Sequence, residues 1–299
     1  MDEQMNELLE LAKKIRRNDR ICLLLTFGGI ALTVALLGSG YFFIGIILVI
    51  AALIMNGVCS HKIGRKYREL YKTTLVNRVA AEFFQNFEYL PDTGYEKNDL
   101  RSLEIMQFGS DYNSEDTIRG TYNGVPFTRA DVYIADTSTD SEGNTTTTEY
   151  FKGQWLMITS NKDFHSDLQI IQKGFGFTKR KKGFFTRKEE RRHVFETEDV
   201  SFNKRFQCLC QNDAEAFYLL TPGLMQSLMQ LSETLPYKMM VAYVQNQIHV
   251  LIDTHRDSME PSKPKNGNFD RQLADIRQDM EIITRSISGL LVDRNLYRA

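Results

Sequence analysis

The sequence predicts an α+β protein: an N-terminal two-helix transmembrane hairpin, an amphipathic stalk helix, and a mixed, largely antiparallel cytoplasmic domain. Three observations carry that expectation. Forty consecutive residues, Ile21 to Ser60, contain no Asp, Glu, Lys, Arg or His. Tyr67–Tyr89 then repeats aromatic and aliphatic residues at helical spacing. Beyond Pro91, strand-like segments come first and helical patterns later, the order of an α+β domain rather than a doubly wound sheet.

The uncharged stretch is divided by Gly38-Ser39-Gly40 into Ile21–Leu37 and Tyr41–Ser60. At 1.5 Å per residue these helices reach about 26 Å and about 30 Å, against a hydrocarbon core of about 30 Å. They hold ten and eleven Leu, Ile, Val or Phe residues. At about −0.3 to −0.6 kcal/mol each, every segment gains roughly 3 to 6 kcal/mol on entering lipid. No charge inside the spans offers a proton relay or ion site. Lys13, Lys14, Arg16, Arg17 and Arg20 precede the first span, and Lys62, Arg65, Lys66 and Arg68 follow the second. The positive-inside rule therefore puts both termini in the cytoplasm of a cell whose inner membrane holds the hairpin. The polar, partly acidic first twenty residues do not fit a secretory signal peptide. Met5, Leu8, Leu9, Ala12 and Ile15 mark them instead as a short surface helix.

The stalk helix carries Tyr67, Tyr71, Leu75, Val79, Phe83 and Phe87 on one face and is expected to end at Pro91. Leu103–Tyr112, Asp116–Tyr122 and Val125–Ala135 read as strands, the last two joined by the hairpin turn Asn123-Gly124. Asp136–Glu149 reads as a polar, exposed connection. Phe151–Ser160, with the sole tryptophan Trp155, and Leu168–Gln172 are further strands. Val194–Thr197 and Phe206–Cys210 are expected to be extended, and Asp213–Leu220 helical. Thr221-Pro222 opens a helix to about Leu235, the Thr as cap and the Pro in the first turn. Met239–Val244 and Gln247–Thr254 form a second hairpin, and Phe269–Leu291 a terminal amphipathic helix. The expected division is a cytoplasmic segment 1–20, the hairpin 21–60, the stalk 61–90 and an α+β domain 91–299 with a subdomain break near 173–193.

Several short blocks resemble a known family: Asp116-Thr117-Ile118-Arg119-Gly120, Phe151-Lys152-Gly153, Phe202-Asn203-Lys204-Arg205-Phe206, and Asp213-Ala214-Glu215-Ala216 followed by Leu220-Thr221-Pro222. Their order is similar to that in an uncharacterised bacterial family known as domain of unknown function 3137, over most of Tyr67 to Leu291. The resemblance implies a membrane hairpin before a cytoplasmic domain. It implies no activity, cofactor or catalytic residue.

Composition narrows the function further. Net charge is −1 over 299 residues, so the whole molecule has no nucleic-acid signature. The sharpest local feature is Lys173–His193, with nine Lys or Arg against two Glu and interleaved phenylalanines. Lys179, Arg180, Lys181, Lys182, Phe184, Phe185, Arg187 and Lys188 are the residues expected to lie against anionic lipid headgroups, where each cation adds about 1 kcal/mol. A solvated hairpin tip is the alternative. His249, Asp253 and His255 alternate along one strand and so share a face, a conceivable metal or acid–base site weighed against an ordinary polar strand end. His165 and His193 stand alone. Cys208 and Cys210 form a C-x-C pair without the second pair a zinc site usually has. The chain lacks G-x-S-x-G, P-loop, dinucleotide-fingerprint and H-E-x-x-H motifs. No catalytic residue, metal or cofactor is assigned. The sequence thus points to a non-enzymatic, membrane-anchored binding or scaffold protein with the lipid bilayer and a protein as partners. A membrane-associated enzyme of unfamiliar type and an accessory subunit of a transport complex are the alternatives.

Overall fold

The structure, a computed structural model, describes residues 2–38, 40–41, 43–160, 164–176, 192–262 and 268–291. The chain divides into two units, Met1–Arg78 with Glu260–Asp275, and Val79–Met259 with Ile276–Ala299.

In the first unit α1 spans Asp2–Ala35 and α2 spans Phe43–Tyr71, continued by a π-helical turn at Lys72–Val76. The expected surface helix and first apolar segment are one continuous helix, because nothing between them breaks the backbone ladder; only the side chains change from charged to apolar. The second apolar segment likewise runs on through Gly57 and Gly64. Among the described residues one helix, Glu3–Ala35, is long and apolar enough to cross a membrane; Phe43–Ile54 is a shorter apolar helix. α1 and α2 run antiparallel. Glu7 meets Lys66 at 2.7 Å, and the Cys22 thiol lies 3.8 Å from the Ala52 carbonyl. Further along, a Cβ on Gly45 would fall 2.8 Å from the Gly29 carbonyl and closer still to the Thr33 hydroxyl. Only a residue without a side chain lets the two backbones approach so closely. Lys72, 2 % exposed, pairs with Glu260 at 3.3 Å, and Tyr71 packs edge-on against Phe269.

The second unit is built on one antiparallel sheet. Its strands are β1 (Asn86–Leu90), β2 (Asp111–Tyr122), β3 (Val125–Thr139), β4 (Thr145–Thr159), β5 (Leu168–Gln172), β6 (His193–Phe195), β7 (Phe206–Cys210), β8 (Lys238–Val244) and β9 (Gln247–Asp253). Among the described residues their order is β1-β2-β3-β4-β9-β8-β5-β7-β6, every pairing antiparallel. Helices α3 (Asn77–Phe83), α4 (Lys97–Ser102), α5 (Val200–Arg205), α6 (Asp213–Leu219), α7 (Pro222–Thr234) and α8 (Asp270–Leu290) complete the elements. The central strands β8 and β9 are buried on both faces, which is why they read as near-continuous apolar runs. One face carries Val132, Ile134, Trp155, Met240, Ala242 and Leu251, packed with Leu100, Leu103, Ile105, Met106 and Phe175.

Local chemistry accounts for much of this. Asn123-Gly124 and Gln245-Asn246 all have positive φ, the geometry a two-residue hairpin turn requires. Thr221 caps α7 by accepting from the Leu224 amide at 3.2 Å, as its sequence position predicts. Asn212 and Asp199 cap α6 and α5 in the same way.

Three expectations are corrected. The helix expected to run to Tyr89 stops at Phe83, and 86–90 becomes an edge strand. Phe84 packs against Phe127 with ring centroids 4.8 Å apart, so aromatic packing on the sheet overrides the helical spacing. Leu103–Tyr112 is not a strand: Leu103, Ile105 and Met106 follow α4 and plug the core as irregular backbone, and β2 begins at Asp111. Asp136–Glu149 is not a loose connection. The β3–β4 ladder continues through Thr137↔Thr147 and Thr139↔Thr145, where β-branched Thr side chains face each other across the strands at 3.1 and 3.3 Å. Asp140 closes the turn by accepting from the Glu142 and Asn144 amides.

Candidate functional site

The most distinctive surface of the first unit is apolar. Eighteen of the twenty-two exposed large hydrophobic side chains among the described residues fall between Ile21 and Ile54. Only 6 % of the apolar window of α1 is buried, whereas the core helix of a soluble fold hides one face; the buried face of α1, with Leu8, Leu11, Ala12 and Ile15, lies before that window. Leu24, Phe27, Val34, Ile47 and Ile54 are each more than 60 % exposed. The threonines inside the stretch are internally satisfied: Thr26 and Thr33 each donate to the carbonyl four residues back at 2.8 Å. Because α1 and α2 are antiparallel, the two basic clusters lie at the same end of this band. Lys13, Lys14, Arg17 and Arg20 are exposed on α1 and Arg16 is half-buried. Lys62, Arg65, Lys66 and Arg68 are exposed on α2. Lys13 pairs with Glu10, and Lys66 with Glu7. The basic–aromatic residues Lys179, Arg180, Lys181, Lys182, Phe184, Phe185, Arg187 and Lys188 lie outside the described residues. Of the flanking phenylalanines, Phe175 is turned into the core and 1 % exposed.

The fold does not bring His249, Asp253 and His255 into one site. His249 is fully buried and accepts from the Trp155 indole N–H through Nδ1 at 3.3 Å, the rings crossing at 83°. His255 is exposed, at positive φ, and reaches Glu149 and Asp253 at 3.1 and 3.4 Å. Burial holds His249 well below the usual imidazole range, at about 4. Between pH 6.5 and 4 the unfolded chain therefore binds a proton that the folded one refuses. The stability from the neutral ring is complete above pH 6.5 and is lost as pH falls towards 4, by about 3 kcal/mol. His249→Asn keeps an acceptor for Trp155 and removes the titration. Urea unfolding followed by Trp155 fluorescence is expected to show the wild type losing that stability relative to the variant across this pH window.

The sheet also holds a buried polar network. Arg129 and Asp131 share the face of β3 opposite Trp155, with Gln154 beside them on β4. Arg129, fully buried, places Nη2 2.7 Å from Asp131 Oδ1 and donates from Nη1 to the Asp116 carbonyl at 3.2 Å. Ser258 donates to Asp131 through its amide and hydroxyl at 3.2 and 3.0 Å. Gln154 donates to Ser258 and to Asp279 of α8 at 3.1 and 3.0 Å, and Arg256 closes on Asp279 at 2.5 Å. Asp116 sits at positive φ in a β-bulge, which turns its carboxylate inward to accept from the Tyr89 hydroxyl. Burial pushes Asp131 up to about 7, Arg129 pulls it down, and Asp116 and Asp279 push it further up. With two guanidiniums against three carboxylates, the network ties β3, β4 and α8 together. The signal in the sequence was a charged pair at alternate positions of an apolar strand; Ser258 and Asp279, far along the chain, carried none.

Two clefts border the helices. One lies between α7 and α8, lined by Ser227, Gln230, Leu231, Arg285 and Gly289, with a volume of about 540 Å³. Among the described residues, Arg285 is the titratable side chain that lines it. The other, about 450 Å³, is lined by Lys173, Lys204, Arg205, Glu233 and Lys238.

No curated protein matches the chain. Among solved structures, the crystal structure of the mycobacterial trehalose monomycolate transport factor A, TtfA, is similar at 11 % identity. The likeness covers 72 % of this chain and 93 % of that one with a TM-score of 0.31, too loose to carry an argument. A model of the family described as "Protein of unknown function (DUF3137)" matches residues 149–291. Of the blocks singled out in the sequence, Phe151-Lys152-Gly153, Phe202–Phe206, Asp213–Ala216 and Leu220-Thr221-Pro222 fall within the match, and Asp116–Gly120 precedes it. Residues 149–291, from within β4 through α8, thus match the family described as "Protein of unknown function (DUF3137)".

Proposed function

We propose that α1 and α2 form a membrane-embedded hairpin that anchors a cytoplasmic sheet domain at the inner leaflet, where it acts as a binding or scaffold surface for a protein partner. The observation that carries this reading is the apolar band from Ile21 to Ile54, exposed on both helices. Soluble proteins rarely leave contiguous apolar patches larger than a few hundred Å² open to water. Lipid is the solvent that matches such a surface, and backbone groups inside it are satisfied within the helices. The basic collars at one end of the band favour a cytoplasmic location for both flanks. The basic–aromatic segment 179–188 is assigned to the anionic headgroups of the same leaflet, where anchoring supplies a high local concentration. The test is alkaline extraction of membranes containing the full-length chain. Retention in the pellet is expected; release into the supernatant overturns the reading.

A further inference from the structure

We propose that His193, Cys210 and Asp213 form a binding site for one divalent transition-metal ion of the zinc class. The three side chains come from separate pieces of local structure. β6 pairs with β7 so that His193 stands directly opposite Cys210. The chain then turns at Gln211-Asn212, the Asn212 side chain caps α6, and Asp213 begins that helix. The carboxylate is thereby carried back over the thiol.

The ligand atoms already lie close to a coordination polyhedron. Cys210 Sγ is 3.6 Å from His193 Nε2 and 3.4 Å from Asp213 Oδ1. In a tetrahedral zinc site, with Zn–S of about 2.3 Å and Zn–N and Zn–O of about 2.0–2.2 Å, sulfur lies about 3.5 Å from the other donors. Two of the three edges therefore need no rearrangement. The third, His193 Nε2 to Asp213 Oδ1, is 2.5 Å, a hydrogen-bonded pair that must open by about 0.8 Å to admit an ion. The fold permits that movement. The His193 and Asp213 side chains are 53 % and 68 % exposed, whereas Cys210 is buried and fixed. One buried ligand and two exposed ones, with no fourth His, Cys, Asp or Glu donor beside them among the described residues, describe a three-ligand site.

The donor set selects among metals. A thiolate and an imidazole with one carboxylate suit zinc or cobalt, whereas magnesium and calcium require oxygen ligands throughout. The ordinary alternative is a surface His–Asp ion pair above a buried thiol. That arrangement would neither bind an ion with defined stoichiometry nor depend on the sulfur.

The test uses the full-length chain in detergent micelles, stripped of metal by a chelator and titrated with Co²⁺. One equivalent is expected to produce a sulfur-to-cobalt charge-transfer band and tetrahedral visible bands, both abolished by Zn²⁺. Cys210→Ser is expected to remove the charge-transfer band. His193→Gln and Asp213→Asn, at exposed positions that spare the core, are each expected to weaken binding by more than about tenfold. Cys208→Ser and Cys22→Ser are expected to leave the spectra unchanged, and Trp155 fluorescence reports that every variant is folded. The proposal is overturned if folded wild-type protein shows no cobalt–sulfur band, or if the band survives in Cys210→Ser or in both exposed variants with unchanged affinity.

Discussion

Replacing Arg129 by Met is expected to lower the unfolding free energy by about 3–5 kcal/mol at about pH 8, and by less at about pH 5. The loss comes from what remains. Asp131, 5 % exposed, would lose its guanidinium and keep Ser258 as its side-chain partner among the described residues, so at about pH 8 it must either hold an unpaired charge in the sheet or take up a proton far above its unfolded pKa. The sign of the pH effect follows from the raised position of Asp131. An acid whose folded pKa exceeds its unfolded value of about 3.8 binds a proton more readily when folded, so its contribution is complete below about pH 4 and is lost as pH rises through 7. Removing the guanidinium raises that pKa further, so acidification neutralises the stranded carboxyl and relieves the penalty. Asp131→Asn on the Arg129→Met background is expected to restore stability at about pH 8. Urea titrations read by Trp155, the sole tryptophan and itself buried in this unit, measure all three proteins. An Arg129→Met protein as stable as the wild type at both pH values would remove the network from the account.

Phe27→Arg combined with Ile50→Arg is expected to shift the full-length chain from the alkaline-resistant membrane pellet into the soluble or aggregated fraction. Both positions are exposed on the apolar band, 64 % and 51 %, and lie well inside their segments. Each central Arg costs about 2.5–3.5 kcal/mol against the roughly 3–6 kcal/mol that a segment gains in lipid, so two charges cancel most of the insertion energy. Phe27→Leu with Ile50→Leu keeps the apolar surface and is expected to stay in the pellet. A double-Arg variant extracted no more readily than wild type would mean that something other than this band holds the protein on the membrane.

Much of the architecture was legible in the sequence because local signals and tertiary packing agreed. Asn123-Gly124, the Thr221-Pro222 helix start and the short apolar runs of β8 and β9 on either side of Gln245-Asn246 state their geometry within a few residues. Legibility failed where packing overrode period. Phe83 and Phe87 keep helical spacing, yet Phe84 is claimed by Phe127 and Tyr122 of the sheet, and the helix gives way to β1. Thr145–Thr148 look like a polar loop until Thr137 and Thr139 appear opposite them. The candidate sites show the same division. The uncharged band and its collars are contiguous in sequence and could be read directly. His249, Asp253 and His255 share a strand pattern, but the core takes up His249 and leaves His255 outside. His193 seemed solitary because its neighbours Cys210 and Asp213 arrive through strand pairing seventeen and twenty residues away.

The proposed anchoring requires the hairpin to cross the bilayer with both collars on one side. Three single-cysteine variants, Lys14→Cys, Tyr41→Cys and Arg68→Cys, built with the native cysteines replaced by Ser, test it with a membrane-impermeant maleimide on intact and permeabilised cells. Tyr41→Cys is expected to label in intact cells, and Lys14→Cys and Arg68→Cys only after permeabilisation. Labelling of either collar position in intact cells, or protection of Tyr41→Cys until the membrane is opened, would contradict the account.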